Sequence, residues 1–373
     1  MHQTLLGVNS VILYMKRIRD AVKDKYITIG DEYLQLLDTP EMQNLRYVSQ
    51  LGVVETVYPS ATHSRFAHSI GVFDTVKRFI ESLNIEDETL QRQLKLAGLL
   101  HDIGHGAFSH NIEVAEGVPH HERKSAEIIR EFNKRGLIRD EDVEPVIEFI
   151  QGEREPNIIA GDIDADRIDY LERDSHYTGI SHGSIDSDTI IQNARLENGE
   201  LVFDRIAVES IENLFLARKN MYRSVYFHPT VVCAEKMLST AVEESSLDGD
   251  SKYMKNDREL HSKLIRDSSE VTRELYNRVV NRNLYKEYKN FHLPDEQDEF
   301  KACKSQLEQS DLEWYEWLVV EHKHTTSNIN INIDLDGHLV KYTEISSVDQ
   351  DVLSDSYLPD VRIFITPNYS SEL

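Results

Sequence analysis

Apolar positions recur at helical spacing along most of the chain and alternate strictly in only a few short stretches. Between Arg65 and Leu83 the residues Phe66, Ile70, Phe73, Val76 and Ile80 fall on one face of a helix. Similar spacing predicts helices over Asp31 to Leu37, Leu90 to Leu100, Lys124 to Asn133, Asp142 to Ile150 and Ile163 to Arg173. Further helices are expected over Glu209 to Tyr226, Thr230 to Glu243 and Lys252 to Asn281. Asp38-Thr39-Pro40 reads as a cap with a proline in the first turn, opening a helix that runs through Tyr47 and ends at Gln50-Leu51-Gly52. Lys16 to Ile29 alternates apolar and polar residues, which predicts a hairpin. Glu197-Asn198-Gly199-Glu200 reads as a second hairpin turn, and Ser327 to Val340 and Val361 to Thr366 as strands. The pattern therefore describes a mainly α protein. A helical core with its N-terminal hairpin is expected over residues 1–290, with a small α+β lobe over 291–373.

Composition narrows the class. The chain has 373 residues, 40% hydrophobic and 29% charged, and no apolar run near the ~18 residues of a membrane span. Met1 to Tyr14 lacks a basic n-region and a cleavage site, so a cytoplasmic protein is expected, with Met15 as an alternative start. Cys233 and Cys303 are too few for a disulfide framework and read as reduced thiols. The net charge of −25 argues against nucleic acid as a main partner, because phosphate contacts need a basic face.

Candidate chemistry concentrates in Leu99-Leu100-His101-Asp102-Ile103-Gly104-His105-Gly106-Ala107-Phe108-Ser109-His110. Neighbours on a helix point ~100° apart, so His101 and Asp102 meet at one metal only at a helix end, and Gly104 and Gly106 supply that end. Nitrogen with hard oxygen donors suits Mn, Fe, Co, Zn or Mg. Two further donors stand out. His68 lies in Thr62-His63-Ser64-Arg65-Phe66-Ala67-His68-Ser69. Asp166 lies in Asp162-Ile163-Asp164-Ala165-Asp166-Arg167-Ile168-Asp169-Tyr170, whose crowded carboxylates call for a cation. Arg218, Tyr222 and Tyr226, four apart, are expected to line one helix face and offer a cation and two aromatic surfaces.

These segments, in this order, resemble the HD-domain metal-dependent phosphohydrolases, and most closely the deoxynucleoside triphosphate (dNTP) triphosphohydrolases. A counterpart of the sterile-alpha-motif domain found in some members is not expected. The likeness runs from about Lys16 to Lys286. It rests on His-x-Arg-Phe-x-His-Ser at 63–69, His-Asp-x-Gly-His-Gly-x-Phe-Ser-His at 101–110, His-Glu at 121–122 and Asp-x-Asp-x-x-Asp-Tyr at 164–170.

The resemblance implies His68, His101, Asp102 and Asp166 as ligands of one divalent metal, with room for a second Mg carried by the triphosphate. It implies proton transfer by His110, supported by His105, His121 and Glu113. His110 is the expected general acid, since a free imidazole pKa of about 6.5 suits that task. Arg65, Arg167 and Arg218 would hold phosphates, Tyr170 and Asp174 the sugar, and Gln50, Leu51, Tyr222 and Tyr226 the sugar and base. Tyr222 and Phe227 stand where a histidine and a glutamine are expected, a change that bears on base preference. His63, His120, His176 and His182 are assigned no role.

Asp38 to Tyr47 is similar to a segment that seats an activating nucleotide (GTP or a dNTP), through Lys16, Asp38, Gln43 and Arg46, although Asn44 replaces an expected arginine. Arg282 falls in a segment similar to a subunit interface, so a homo-tetramer built from dimers is implied. The expected reaction is hydrolysis of a dNTP to deoxynucleoside and inorganic triphosphate. The rivals are another HD phosphohydrolase (a nucleotide monophosphatase, cyclic-nucleotide phosphodiesterase or guanosine-tetraphosphate hydrolase) and a nucleotide-sensing or nucleic-acid-binding module with little activity.

Overall fold

Three helices meet at the centre of the molecule, and each begins where a short polar side chain can satisfy its open N-terminus. The computed structural model describes residues 15–113, 115, 118–248, 252–322, 329–348, 358–367 and 369. Strands β1 (Lys16–Asp20) and β2 (Lys25–Ile29) form the expected hairpin, followed by α1 (Asp31–Leu37) and α2 (Pro40–Asn44). Helix α3 (Arg65–Ser82) is capped by Ser64, whose hydroxyl accepts from the Ala67 N–H, and its predicted stripe is buried. Helix α4 (Glu88–Leu100) is capped by Asp87. It packs so closely on α3 that a Cβ on Gly98 would lie 2.8 Å from Val76 Cγ2.

The chain continues through α5 (His110–Glu113), α6 (His121–Lys134) and α7 (Val143–Ile150) to α8 (Ala165–Thr178), which lies against α3. Asp164 caps α8 by accepting from the Arg167 N–H, and Gly179, at φ 73°, ends it in the left-handed region. Helix α9 (Ser187–Gln192), the hairpin β3 (Ala194–Glu197) and β4 (Glu200–Asp204), α10 (Val208–Met221) and α11 (Pro229–Glu243) follow. Helices α12 (Asp257–Leu264) and α13 (Glu270–Val280) lead to β5 (Lys286–Phe291), α14 (Gln297–Glu308) and β6 (Trp317–Glu321). Strands β7 (Asn332–Leu335) and β8 (His338–Lys341), α15 (Tyr342–Ile345) and β9 (Val361–Ile365) complete the described chain.

The molecule is a mainly α-helical core with a smaller C-terminal region that contributes β-sheet. Both larger sheets cross the division expected near residue 290. One has the order β3-β4-β7-β8, with β4 and β7 parallel, and the other is the antiparallel sheet β5-β9-β6. Ile329, Ile331, Ile333 and Tyr342 belong to the same buried cluster as the stripe of α3.

Three local expectations are corrected. Thr39, not Asp38, caps α2: its hydroxyl accepts from the Met42 N–H, while Asp38 follows the last turn of α1. The helix expected over Lys252 to Asn281 is two helices, because Asp267 accepts from the Ser246 and Ser269 N–H groups and Ser269 caps the second one. The long helix to Tyr226 is α-helical only to Met221, and Tyr222–Tyr226 form a π-helical turn. The wider turn still leaves the three side chains in sequence, with the Arg218 guanidinium over the Tyr222 ring and the Tyr222 and Tyr226 ring centroids 5.1 Å apart. Met1 to Tyr14, Ser327 and Asn328 lie outside the described residues.

Candidate active site

His68 from α3, His101 and Asp102 from the end of α4 and Asp166 from the first turn of α8 converge between the three central helices. His68 Nε2 lies 3.2 Å from His101 Nε2, 2.9 Å from Asp166 Oδ1 and 3.6 Å from Asp102 Oδ2. His101 Nε2 lies 3.4 Å from Asp102 Oδ2 and 3.8 Å from Asp166 Oδ1. A metal bonded at ~2.1 Å keeps its ligands about 3.0 Å apart in an octahedron and about 3.4 Å apart in a tetrahedron. His68, His101 and Asp102 therefore form one group that could hold a divalent ion, and Asp166 lies within 4 Å of both histidines.

In both imidazoles Nδ1 is engaged behind the ring and Nε2 faces the other donors. His101 Nδ1 meets the Gly98 carbonyl at 3.1 Å, and His68 Nδ1 meets Asp169 Oδ2 at 2.9 Å. Burial opposes charge on His68, but hydrogen bonds to Asp166 and Asp169 push its pKa up to about 10. The loop after α4 is fixed by Ser125, whose hydroxyl donates to the His101 carbonyl and accepts from the Gly104 N–H. Gly104 itself presses on the start of α6, where a Cβ would lie 2.2 Å from the His121 carbonyl oxygen.

The four residues expected to move protons form a second cluster beside the first. Glu113 meets His110 Nδ1 and His121 Nδ1 at 3.0 Å each. The His105 and His121 rings stack with centroids 4.0 Å apart. Burial opposes the Glu113 charge, yet the two histidine hydrogen bonds hold its carboxyl far below the ordinary value. His105 is fully buried, and burial with nearby Arg65 holds its pKa well below the ordinary value. Its Nε2 lies 3.3 Å from Asp102 Oδ1, so the two clusters touch. His110 is the open member, with 60% of its side chain exposed where it lines the adjoining cavity.

That cavity has a volume of about 630 Å³, within the range of small-molecule sites. Arg65, His110, Asp166, Tyr170 and Asp174 line its inner end, with Gln50, Leu51, Tyr222 and Tyr226 beside them. Arg65 is buried, donating to Asp102 Oδ2 at 2.7 Å and to the Ser109 hydroxyl at 2.9 Å. Asp174 accepts from the Tyr226 hydroxyl at 2.6 Å and meets His63 Nε2 at 2.8 Å. Arg167 and Arg218 are outside the lining. They flank Tyr170, and each has a buried Nε with no hydrogen-bond partner among the described residues. The Arg218 guanidinium lies over the Tyr222 ring, 4.8 Å from its centroid.

Residues 65–174 match the HD domain family, and residues 185–329 match the HD associated region. This is an HD-domain protein. A relative from Methanocaldococcus jannaschii, itself uncharacterized, is 36% identical over 73% of this chain and 59% of its own length. A deoxynucleoside triphosphate triphosphohydrolase SAMHD1 homolog from Dictyostelium discoideum is 28% identical over the same shares. The chain thus spans about three fifths of the length of these curated relatives. Among solved structures, a phosphohydrolase from Bacteroides thetaiotaomicron superposes with a TM-score of 0.79 at 26% identity, covering 94% of this chain and 99% of the other. A hypothetical protein from Aquifex aeolicus superposes with a TM-score of 0.78 at 28% identity over 96% and 98%. The HD motif and the ligand cluster support metal-dependent phosphohydrolase chemistry.

The residues expected to seat an activator lie on the outside of the HD-domain protein. Lys16 and Asp38 form an exposed ion pair at 2.7 Å. Gln43 donates to the Leu37 carbonyl and accepts from Arg46 Nε, and the Arg46 guanidinium covers Phe66 at 3.6 Å. Asn44, which replaces an expected arginine, binds the Asn256 amide and the Lys255 carbonyl. Arg282 donates to the Thr56 carbonyl at 2.7 Å. No helix among the described residues is long and apolar enough to cross a membrane.

Four groups at the HD-domain site escaped the sequence reading. His63 was assigned no role, although it holds Asp174 and stacks on Tyr177 at 4.6 Å. Its place two residues before Arg65, in the same motif, was the available signal. Asp169 was only one of four close aspartates. Asn111 and Glu235, bonded at 2.8 Å on the cavity wall, and the strand segment Val319 to His322 carried no motif.

Proposed function

We propose that the protein hydrolyses deoxynucleoside triphosphates to deoxynucleoside and inorganic triphosphate. The carrying observation is that one cavity is lined by Arg65, His110, the Asp174–Tyr226 pair and Asp166, whose carboxylate meets His68 of the buried His68–His101–Asp102 cluster. The name of the Dictyostelium discoideum relative favours the same substrate class.

A divalent metal held by these four residues would polarise the phosphate and lower the pKa of an attacking water. Arg65, fixed by Asp102 and Ser109, would neutralise the phosphate nearest the metal. Arg167 and Arg218, with free Nε groups beside Tyr170, would take the outer phosphates. His110 opens on the cavity while Glu113 holds its Nδ1, so its Nε2 is the atom that would protonate the departing 5′-oxygen. Glu113 and His121 would then restore that proton. Asp174, locked by His63 and Tyr226, would accept from a sugar hydroxyl, and Tyr222 would crowd the 2′ position against ribose.

The same reading keeps an activating nucleotide at the Lys16–Asp38–Arg46 surface, assembly into a tetramer of paired dimers and a cytoplasmic location. The deciding experiment incubates pure protein with each dNTP and Mn or Mg, with and without GTP, and separates the products. Triphosphate with deoxynucleoside supports the reading. Monophosphate with pyrophosphate overturns it.

A further inference from the structure

Behind His68, on the side away from the cavity, lies a chain of charged groups that the proposed reaction does not use. Asp169 is fully buried and receives four contacts from three residues. His68 Nδ1 and Arg173 Nε meet its Oδ2 at 2.9 and 2.8 Å, while Arg173 Nη2 and Lys23 Nζ meet its Oδ1 at 3.2 Å each. Arg173, 1% exposed, also donates to Asp20 Oδ2 at 2.9 Å. Asp20 and Lys23 belong to the turn of the N-terminal hairpin, and the other Asp20 oxygen accepts from the Val22 and Lys23 N–H groups. Lys23 continues to Glu172 at 2.6 Å, and Glu172 accepts from the Ser187 hydroxyl. The helix opposite is relieved at one point to admit this assembly: a Cβ on Gly71 would lie 2.0 Å from Asp169 Oδ1 and 2.4 Å from Arg173 Nη2.

We infer that Asp169 is a positioning residue for the metal ligand His68, and that the N-terminal hairpin holds it there through Asp20, Lys23 and Arg173. Taking so many charges out of water is costly, so a chain that only needed a packed hairpin would do better with apolar side chains. What the charges add is direction. Asp169 accepts the His68 Nδ1 proton, which fixes the ring plane, aims the Nε2 lone pair at the other three donors and raises its basicity. Arg173 and Lys23 fix the carboxylate in turn, since each contacts it in a different direction. His101 is pinned only by the neutral Gly98 carbonyl, so the anionic support is specific to His68. The hairpin thereby reaches the metal pole without touching the cavity.

This inference rests on the metal reading, and the test separates the two. Mn(II) affinity of the purified full chain is measured by calorimetric titration, with the thermal midpoint of each variant recorded metal-free. His101→Ala should abolish binding. Asp169→Asn should weaken it by about 10- to 100-fold, the range for partners of ligating histidines. Asp20→Asn keeps the oxygen that caps the turn but turns an amide toward Arg173, and should weaken binding about 3- to 10-fold. Glu172→Gln disturbs the same network without touching Asp169 and should bind within about twofold, however much its midpoint falls. If Asp169→Asn does not fold, Asp20→Asn against Glu172→Gln carries the test. Binding by Asp169→Asn and Asp20→Asn within twofold of the parent, with His101→Ala empty, overturns the inference. Retained binding by His101→Ala overturns the metal reading and the inference with it.

Discussion

The two ends of the active-site cavity are built in opposite ways. At the inner end, every donor sits on or at the end of a central helix, has a polar partner holding it, and lies within a short motif. At the outer end, the wall gathers Gln50 and Leu51 from a loop, Asn111 from a short helix, Tyr222 and Tyr226 from a π-helical turn, Glu235 from α11 and Val319 to His322 from β6 and the residue beyond it. Rigid elements fix ligands to the small tolerances that metal chemistry needs, whereas a wall assembled from loops and strand ends can vary without moving the metal. Reaction type and substrate identity are therefore separable, and substitutions should act differently at the two ends.

The largest effect is expected at the inner end. Asp102→Ala removes a ligand, the partner of Arg65 and the neighbour of His105 together. Loss of metal polarisation is worth several kcal/mol, so turnover should fall by at least about a thousandfold. Metal content measured on the purified variant should fall with it. Activity retained within tenfold would erase the proposed contrast between the ends.

His110→Ala stands at the junction and should lower kcat by about 10²- to 10⁴-fold, as for loss of a general acid, while leaving metal content unchanged. A variant that also lost its metal would place His110 within the ligand set and not beside it. Farther out, Tyr226→Phe removes the hydroxyl that donates to Asp174. KM for a dNTP should rise about tenfold with kcat little changed, and discrimination against the matching ribonucleotide should narrow. An unchanged KM would mean that the pair does not face the sugar.

The same contrast explains what the sequence revealed. The His101-Asp102 pair before two glycines was legible because a helix end is the one place where adjacent side chains can share an ion. The stripe of α3 was legible because burial on one face enforces its period. His63 and Asp169 were not, since a single histidine or one aspartate among four has no spacing to announce its partner; their roles come from contacts 111 and 101 residues away. The π-helical turn escaped because Arg218, Tyr222 and Tyr226 satisfy an α-helical period that the backbone abandons after Met221. The β3-β4-β7-β8 sheet escaped because pairing β4 with β7 joins segments over a hundred residues apart, which alternation alone cannot match.

The smallest effect concerns the outer wall alone. Burial pushes the Glu235 carboxyl up from its ordinary value of 4.5 to about 7, with only the Asn111 amide opposing the shift. The folded protein thus holds this proton over a range in which the unfolded chain releases it. Below about pH 4.5 both states are protonated and the group costs nothing. Between about 4.5 and 7 the unfolded state is favoured progressively, and above about 7 the loss is complete. Glu235→Gln keeps the shape without the ionisation, so its thermal midpoint should gain on the parent's as pH rises from 5 to 8, while Mn(II) affinity stays within about twofold. Parallel midpoints across that range would show the carboxyl already charged and solvated in the folded protein. The outer wall would then present an anion to the substrate instead of a neutral hydrogen-bonding group, so that any base seated there would meet a negative charge.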